Sequence, residues 1–331
     1  MSADVTAAVA DIVEAGGARV PELLGRIEDR LTEIGQDGGP DLAPLAAGTI
    51  RAGGKRLRPL LVLLAAGEAA QTDAAHSALV RAGCAVELVH SATLVHDDVL
   101  DDAPLRRGQP TVLAQAGREA AVQTGDFLFA RAFTELVANG SVEQVRVLSD
   151  ASSALARGEL LQRADAFAAD VGVERYLERC DLKTARLFES ACRLGRLCAG
   201  ANDRGDDLAA FGRRIGLAFQ LLDDVLDVSG PVERTGKHRG TDLLDGTVTL
   251  PFILARERDD TLRALDPRAI TTPAQAQDVC DQIAATGALE AAREQALAHV
   301  AAAKQDLPAG QDAGRRRALE LVADSVVARY S

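Results

Sequence analysis

The sequence predicts an all-α protein. Alanine and leucine are used heavily while aromatic residues make up only 3% and tryptophan is absent. Apolar residues recur at helical spacing over long stretches, and no convincing alternating run is present. Small and unbranched side chains suit packed helices, whereas strands favour aromatic and β-branched residues. A hydrophobic content of 47% over 331 residues is ample for a large core. Length would allow two domains, but no repeat or low-complexity linker interrupts the chain, so one domain over 1–331 is expected.

Residues 5–34 read as amphipathic helix, broken at Gly16-Gly17 and ended by a loop over 35–40. A second break at 52–59 precedes an apolar helix over 60–70. From 76 to 101 the pattern is continuous helix, with apolar positions at Val80, Cys84, Val86, Leu88, Leu94 and Val95. Prolines and Gly108 make 103–111 a loop. Helices follow over about 113–138, 142–165, 173–200 and 204–228, with Asn139-Gly140-Ser141 as a stop-and-cap signal. The glycine-rich stretch 229–250, poor in apolar residues, reads as a functional loop. The last helices fall near 251–264, 273–305 and 312–329.

Composition narrows the function. The formal net charge of −12 argues against a general nucleic-acid binder. Five cysteines without CxxC spacing suggest reduced, buried thiols in a cytoplasmic protein. Histidines lack the spacing of a zinc site. The acidic start lacks the basic region of a signal peptide, and apolar runs such as 59–67 are too short to span a bilayer, so no transmembrane segment is expected.

The most informative feature is a repeated acidic signature: His96-Asp97-Asp98-Val99-Leu100-Asp101 and Leu222-Asp223-Asp224-Val225-Leu226-Asp227. Each copy follows an apolar run. Clustered carboxylates against a core call for a compensating cation, because burying unpaired charge costs several kcal/mol or more. Asp97 and Asp101, like Asp223 and Asp227, are four apart and share one helix face. One such motif could be a solvated helix end. Two near-identical copies suit Mg²⁺, which binds oxygen ligands and commonly joins carboxylates to substrate phosphates. Basic residues stand close in sequence: Lys55, Arg56 and Arg58, then Arg106 and Arg107, then Lys237. Singly each would be a surface charge, but beside Mg²⁺-type carboxylates they suit a substrate carrying several phosphates.

These residues fall within an ordered set of motifs: GGKRLRP (53–59), HSATLVHDDVLDDAPLRRGQPT (90–111), TGDFLFARA (124–132), LKTARLF (182–188), FQLLDDVLD (219–227) and GKHRGTDLLDGTVTLP (236–251). In that order, over nearly the whole length, the chain resembles the trans-isoprenyl diphosphate synthases, or polyprenyl synthetases. The resemblance implies an isoprenoid synthase helical bundle with a deep central cavity, closing as a homodimer. Asp97, Asp98 and Asp101 would hold Mg²⁺ on an allylic diphosphate, and Asp223, Asp224 and Asp227 a further ion on the same group, three Mg²⁺ in all. Lys55, Arg58, His90 and Arg107 match the isopentenyl diphosphate pocket. Arg106, Lys183 and Lys237 match ligands of the allylic diphosphate, and Thr184 and Gln220 match polar groups facing the reacting carbons. Outside that resemblance, His90 would read as a hydrogen-bonded core histidine and Lys183-Thr184 as ordinary helix interior.

The implied reaction is ionisation, condensation and elimination, with water excluded and 229–246 as a lid. Ala92, five before the first aspartate, and Val89, eight before it, would set product length. A small residue at the fifth upstream position leaves the chain room to grow, which implies a medium- or long-chain all-trans polyprenyl diphosphate (about C30–C50) that can be delivered to a membrane. The alternatives are a short-chain farnesyl or geranylgeranyl synthase, and a non-catalytic subunit of a heteromeric synthase. A terpene cyclase is disfavoured by the second acidic motif. One departure stands out: many members carry a lysine where this chain has Thr247, so Lys237 and Arg239 are expected to bear more of the positive charge. Asp242 has a weaker claim to a water-mediated metal contact.

Overall fold

A computed structural model describes residues 3–52, 54–67, 70, 72–106, 108–200, 206–230, 239–309 and 312–328. Among the described residues the chain is all-α apart from one minimal hairpin. It divides into two compact units that interleave in sequence: Met1–Ser152, Leu187–Gly212 and Asp306–Ser325 form the first, and Ser153–Arg186, Arg213–Gln305 and Val326–Ser331 the second.

In the first unit, α1 (Ala3–Ala15), α2 (Arg19–Gln36), α3 (Gly39–Arg51) and α4 (Leu57–Ala66) lead into the long α5 (Asp73–Leu100). Val20, Leu23, Ile27, Leu31 and Ile34 of α2 recur at three- and four-residue spacing and are buried. The expected loop at 35–40 is shorter than the sequence suggests. Pro40 enters the first turn of α3, where a missing N–H is no loss, so the Gly-Gly-Pro run begins a helix. Thr72 caps α5 by accepting from the Ala75 N–H at 3.1 Å. α5 packs against α2, α4 and, most extensively, α6 (Val112–Val137). It is long and apolar enough to cross a membrane, contrary to the reading of shorter runs, yet 72% of its most apolar stretch is buried inside the protein. Between α5 and α6 the loop folds back as a two-residue ladder, β1 (Leu105–Arg106) on β2 (Gln109–Pro110). No strand was expected there, and two residues per strand are too few to leave a periodic signal.

The chain continues through α7 (Val142–Ala164), α8 (Val173–Cys180), a π-helical turn (Asp181–Ala185), α9 (Arg186–Cys198) and α10 (Asp206–Ser229). The sequence pattern over 173–200 gives no sign of that turn. After it come α11 (Thr241–Leu244), α12 (Leu250–Arg258), α13 (Asp260–Ala264), a 3₁₀ turn (Pro267–Ala269), α14 (Pro273–Ala285), α15 (Ala288–Gln305) and α16 (Ala313–Ala328). The helices expected over 251–264 and 273–305 are each divided. Asp259 leaves helical geometry and caps α13, and Gly287 adopts φ +73° between α14 and α15. In the second unit α12 packs on α15, and Tyr176 and Phe252 are fully enclosed.

Arg56 departs from the reading that grouped it with the phosphate-facing cations. It sits at φ +51° ahead of α4, donates to Glu28 at 2.6 Å and to the buried Glu87 at 2.7 Å, and also bonds the Ile50 carbonyl. It is therefore a structural tie between α2, α4 and α5. Removing one partner of a buried ion pair strands the other charge. Glu87→Ala is expected to destabilise the protein by roughly 3–5 kcal/mol in denaturant unfolding, whereas an effect below about 1 kcal/mol would mark the pair as a solvated surface contact.

Candidate active site

Both acidic motifs occupy the last turns of their helices. Asp97 and Asp98 end α5 and Asp101 is its C-cap, while Asp223, Asp224 and Asp227 lie near the end of α10. Neither helix has a basic residue in its last turn. The C-terminal end of a helix carries partial negative charge, so carboxylates there are unfavourable by about 0.3–1 kcal/mol each unless a cation is near.

In the first unit, Asp98 is 4% exposed and accepts from Arg106 Nε at 2.6 Å. The hairpin supplies that arginine, with Gly108 at φ +74° turning the chain between its strands. Asp97 is half-buried and Asp101 exposed. His96 turns away from the motif, stacks on Phe129 and lies 3.4 Å from Asp126. Gly125 permits this, because a Cβ there would come within 2.2 Å of the imidazole Nε2. Lys55, Arg58 and His90 are each half-buried, and the Arg58 guanidinium lies 4.4 Å from the centre of the Phe188 ring. Ala92 and Val89 are fully buried on α5. Arg107 and Lys237 lie outside the described residues, as does the middle of the expected lid, 231–238.

In the second unit a chain of hydrogen bonds converges on Asp224. Thr184 Oγ1 donates to Gln220 Oε1 at 2.7 Å, and Gln220 Nε2 donates to Asp224 Oδ1 at 2.8 Å. The Tyr176 hydroxyl donates to Asp224 Oδ2 at 2.6 Å. Gln220 and Asp224 are neighbours by their four-residue spacing on α10, and the π turn presents Thr184 to them. π turns recur at functional sites, where the extra residue re-aims side chains. Tyr176 was not singled out in the sequence, where a tyrosine amid charged residues carries no signal of its own.

Past α10, the Gly240 N–H bonds the Asp227 carbonyl at 3.0 Å, and the Asp242 N–H lies 3.3 Å from Asp227 Oδ2. Asp242 thus sits beside the second motif. Arg239 is engaged by the Val228 carbonyl at 2.8 Å and by Asp281 at 2.9 Å, so it serves the local structure rather than standing in for a lysine at Thr247. A separate open depression lined by Phe167, Asp170, Arg256, Arg263 and Arg268 contains none of the site residues. The Arg256 and Arg263 guanidinium groups there bond local carbonyls.

The donors fit a hard divalent cation. Among the described residues no three His, Cys, Asp or Glu side chains close a metal site by themselves. Burial and then the charge of Asp242 push the Asp224 carboxyl up to about 7, against weaker opposition from Tyr176, Gln220 and Arg179. Bringing carboxylates together in this dry place leaves a charge deficit that a cation removes.

The folded value lies above the ordinary 3.8, so the native protein holds this proton through the interval between them. The stability contributed by the site is complete below that interval and is lost as pH rises through it. Metal-free wild type is therefore expected to melt below Asp224→Asn above pH 7, with the gap closing as pH falls toward 4. A gap independent of pH, read by thermal unfolding in chelator, would contradict this.

The polyprenyl synthetase family profile matches residues 41–286. A nonaprenyl diphosphate synthase of Mycobacterium tuberculosis is 34% identical over 329 residues, 98% of this chain and 95% of that protein. A protein of Geobacillus stearothermophilus named heptaprenyl diphosphate synthase component 2 is 39% identical over 270 residues, 81% of each chain. Among solved structures, a polyprenyl synthase of Caulobacter crescentus complexed with calcium and isoprenyl diphosphate aligns at TM-score 0.87 with 36% identity, over 98% of both chains.

Proposed function

The chain belongs to the polyprenyl synthetase family and is a prenyltransferase of the all-α isoprenoid synthase fold, and on that premise we propose that it extends an allylic diphosphate with isopentenyl diphosphate to a medium- or long-chain all-trans product. The observation that carries this reading is the placement of two carboxylate motifs in the final turns of α5 and α10, where the helix dipole adds negative charge and neither last turn contains a basic residue. Asp97, Asp98 and Asp101, and likewise Asp223, Asp224 and Asp227, would hold Mg²⁺, three ions in all, whose chemistry when bound is to offset the negative charge of a departing diphosphate.

The remaining work falls to side chains. Lys55, Arg58, His90 and Arg107 hold isopentenyl diphosphate in a near-attack pose. Arg106, oriented by Asp98, acts on the allylic diphosphate with Lys183 and Lys237. Thr184 and Gln220 present neutral dipoles, fixed by their mutual hydrogen bond, which can favour a developing carbocation without attacking it. The released diphosphate takes the final proton, and no side-chain base is assigned.

Ala92 offers only a methyl group where a large side chain would stop growth, and relatives named for nonaprenyl and heptaprenyl products support elongation past C20. A cytoplasmic homodimer that passes its product to a membrane completes the reading. The buried, unbridged thiols of the five cysteines support the cytoplasmic part of it alone. The name of the Geobacillus relative favours one second reading, in which the chain needs a partner subunit for activity.

Purified protein incubated alone with farnesyl diphosphate, isopentenyl diphosphate and Mg²⁺ is expected to give products longer than C20 by chromatography. Products stopping at C20, or at C15 when geranyl diphosphate is the primer, would establish the short-chain alternative, and silence with either primer until a partner is added would establish the subunit reading. Asp98→Ala and Asp224→Ala are each expected to abolish the condensation.

A further inference from the structure

Lys183 is held from α7, by residues outside the sequence motifs set out above. Gly158 lies directly on the π turn: a Cβ there would come within 2.6 Å of the Lys183 N and 2.8 Å of its Cα, so α7 meets the turn at backbone distance. That approach brings the next residues to the lysine. Lys183 Nζ donates to Glu159 Oε2 in an ion pair and to Gln162 Oε1 at 3.3 Å. The other Glu159 oxygen accepts from Arg163 Nε at 3.0 Å, which fixes the carboxylate from its far side. Glu159 is 16% exposed and Lys183 24%. Burial raises the Glu159 carboxyl, but the charge and hydrogen bond of Lys183, followed by those of Arg163, outweigh it and hold the group ionised. A lysine stem is flexible, and ordering it only when a ligand arrives forfeits rotamer entropy at that moment.

We propose that Glu159, assisted by Gln162, is the positioning residue for Lys183, holding its ammonium in the pose in which it meets a diphosphate oxygen. The inference rests on the reading of Lys183 as a ligand of the allylic diphosphate.

Calorimetric titration of the full-length protein with inorganic diphosphate and Mg²⁺, alongside melting of the ligand-free protein, tests it. Glu159→Ala is expected to weaken diphosphate binding roughly tenfold. Glu159→Gln, which keeps an acceptor oxygen and the side-chain volume, is expected to weaken it about threefold, and it serves if the alanine variant fails to fold. Both losses should vanish in a Lys183→Ala background, because Glu159 acts through that ammonium. A merely structural role would lower the melting temperature and leave the affinity of the folded protein unchanged, which overturns the proposal. So would losses that add to that of Lys183→Ala. If Lys183→Ala weakens binding while the Glu159 variants do not, only the positioning role falls. If Lys183→Ala leaves binding unchanged, the assignment of Lys183 falls, and the proposal with it.

Discussion

The carboxyl group of Asp224 sits where water scarcely reaches, beside a second acid, and much of the second unit is arranged around that cost. Tyr176 is fully enclosed, and its hydroxyl must find a partner inside the protein, which Asp224 supplies. Gln220 spends its amide N–H on the same carboxylate and its carbonyl on Thr184, so two helical segments are tied through one polar chain. The Arg179 guanidinium lies 5.3 Å from the Tyr176 ring centre and bonds the Val248 carbonyl at 2.6 Å, which fixes the segment before α12 to the same cluster. Networks of this kind rigidify a core, although here Arg179 Nη1 is buried without a hydrogen-bond partner, and burial beside Asp242 still raises the Asp224 carboxyl.

The first unit shows the same chemistry divided differently. Arg56 and Arg106 both pair with buried acids, yet only Arg106 pairs with a motif aspartate. Arg56 is committed to Glu28 and Glu87 and works as a strut. Arg106 rides on a short hairpin closed at its base by Thr111, whose hydroxyl donates to the Ala103 carbonyl at 2.7 Å. A family motif thus mixes residues that build the scaffold with residues that face the chemistry, and spacing alone does not separate them.

What the sequence made legible were patterns with a period or a repeated signature. Helical periodicity placed most of α5 and α10, and the doubled aspartates marked their ends. The helix break at Gly287 was hidden because its flanks continue the same alanine-rich pattern, and the one at Asp259 because charged residues run on across it. The π turn was invisible for a related reason: one added residue changes phase without changing composition. Tyr176, Glu159 and Gln162 matter through contacts made across elements, and no local pattern announces such partners. Asp242 was legible as an acid in a functional loop with a weaker claim to a water-mediated metal contact; its closeness to Asp227 needed the fold.

The π turn at Asp181–Ala185 also constrains how this chain can vary. It accommodates a residue that a regular α-helix would not, and each residue in a helix corresponds to about 100° of rotation. Deleting a single residue just before Lys183 would let the segment relax to ordinary α geometry, at little expense to helix formation itself. It would also swing the lysine and threonine about 100° around the axis, away from Glu159 and Gln220. Away from Asp181, Lys183 and Thr184, substitution is therefore a gentle perturbation along this segment and deletion a severe one. The length of the segment constrains it as strongly as the identity of those three residues.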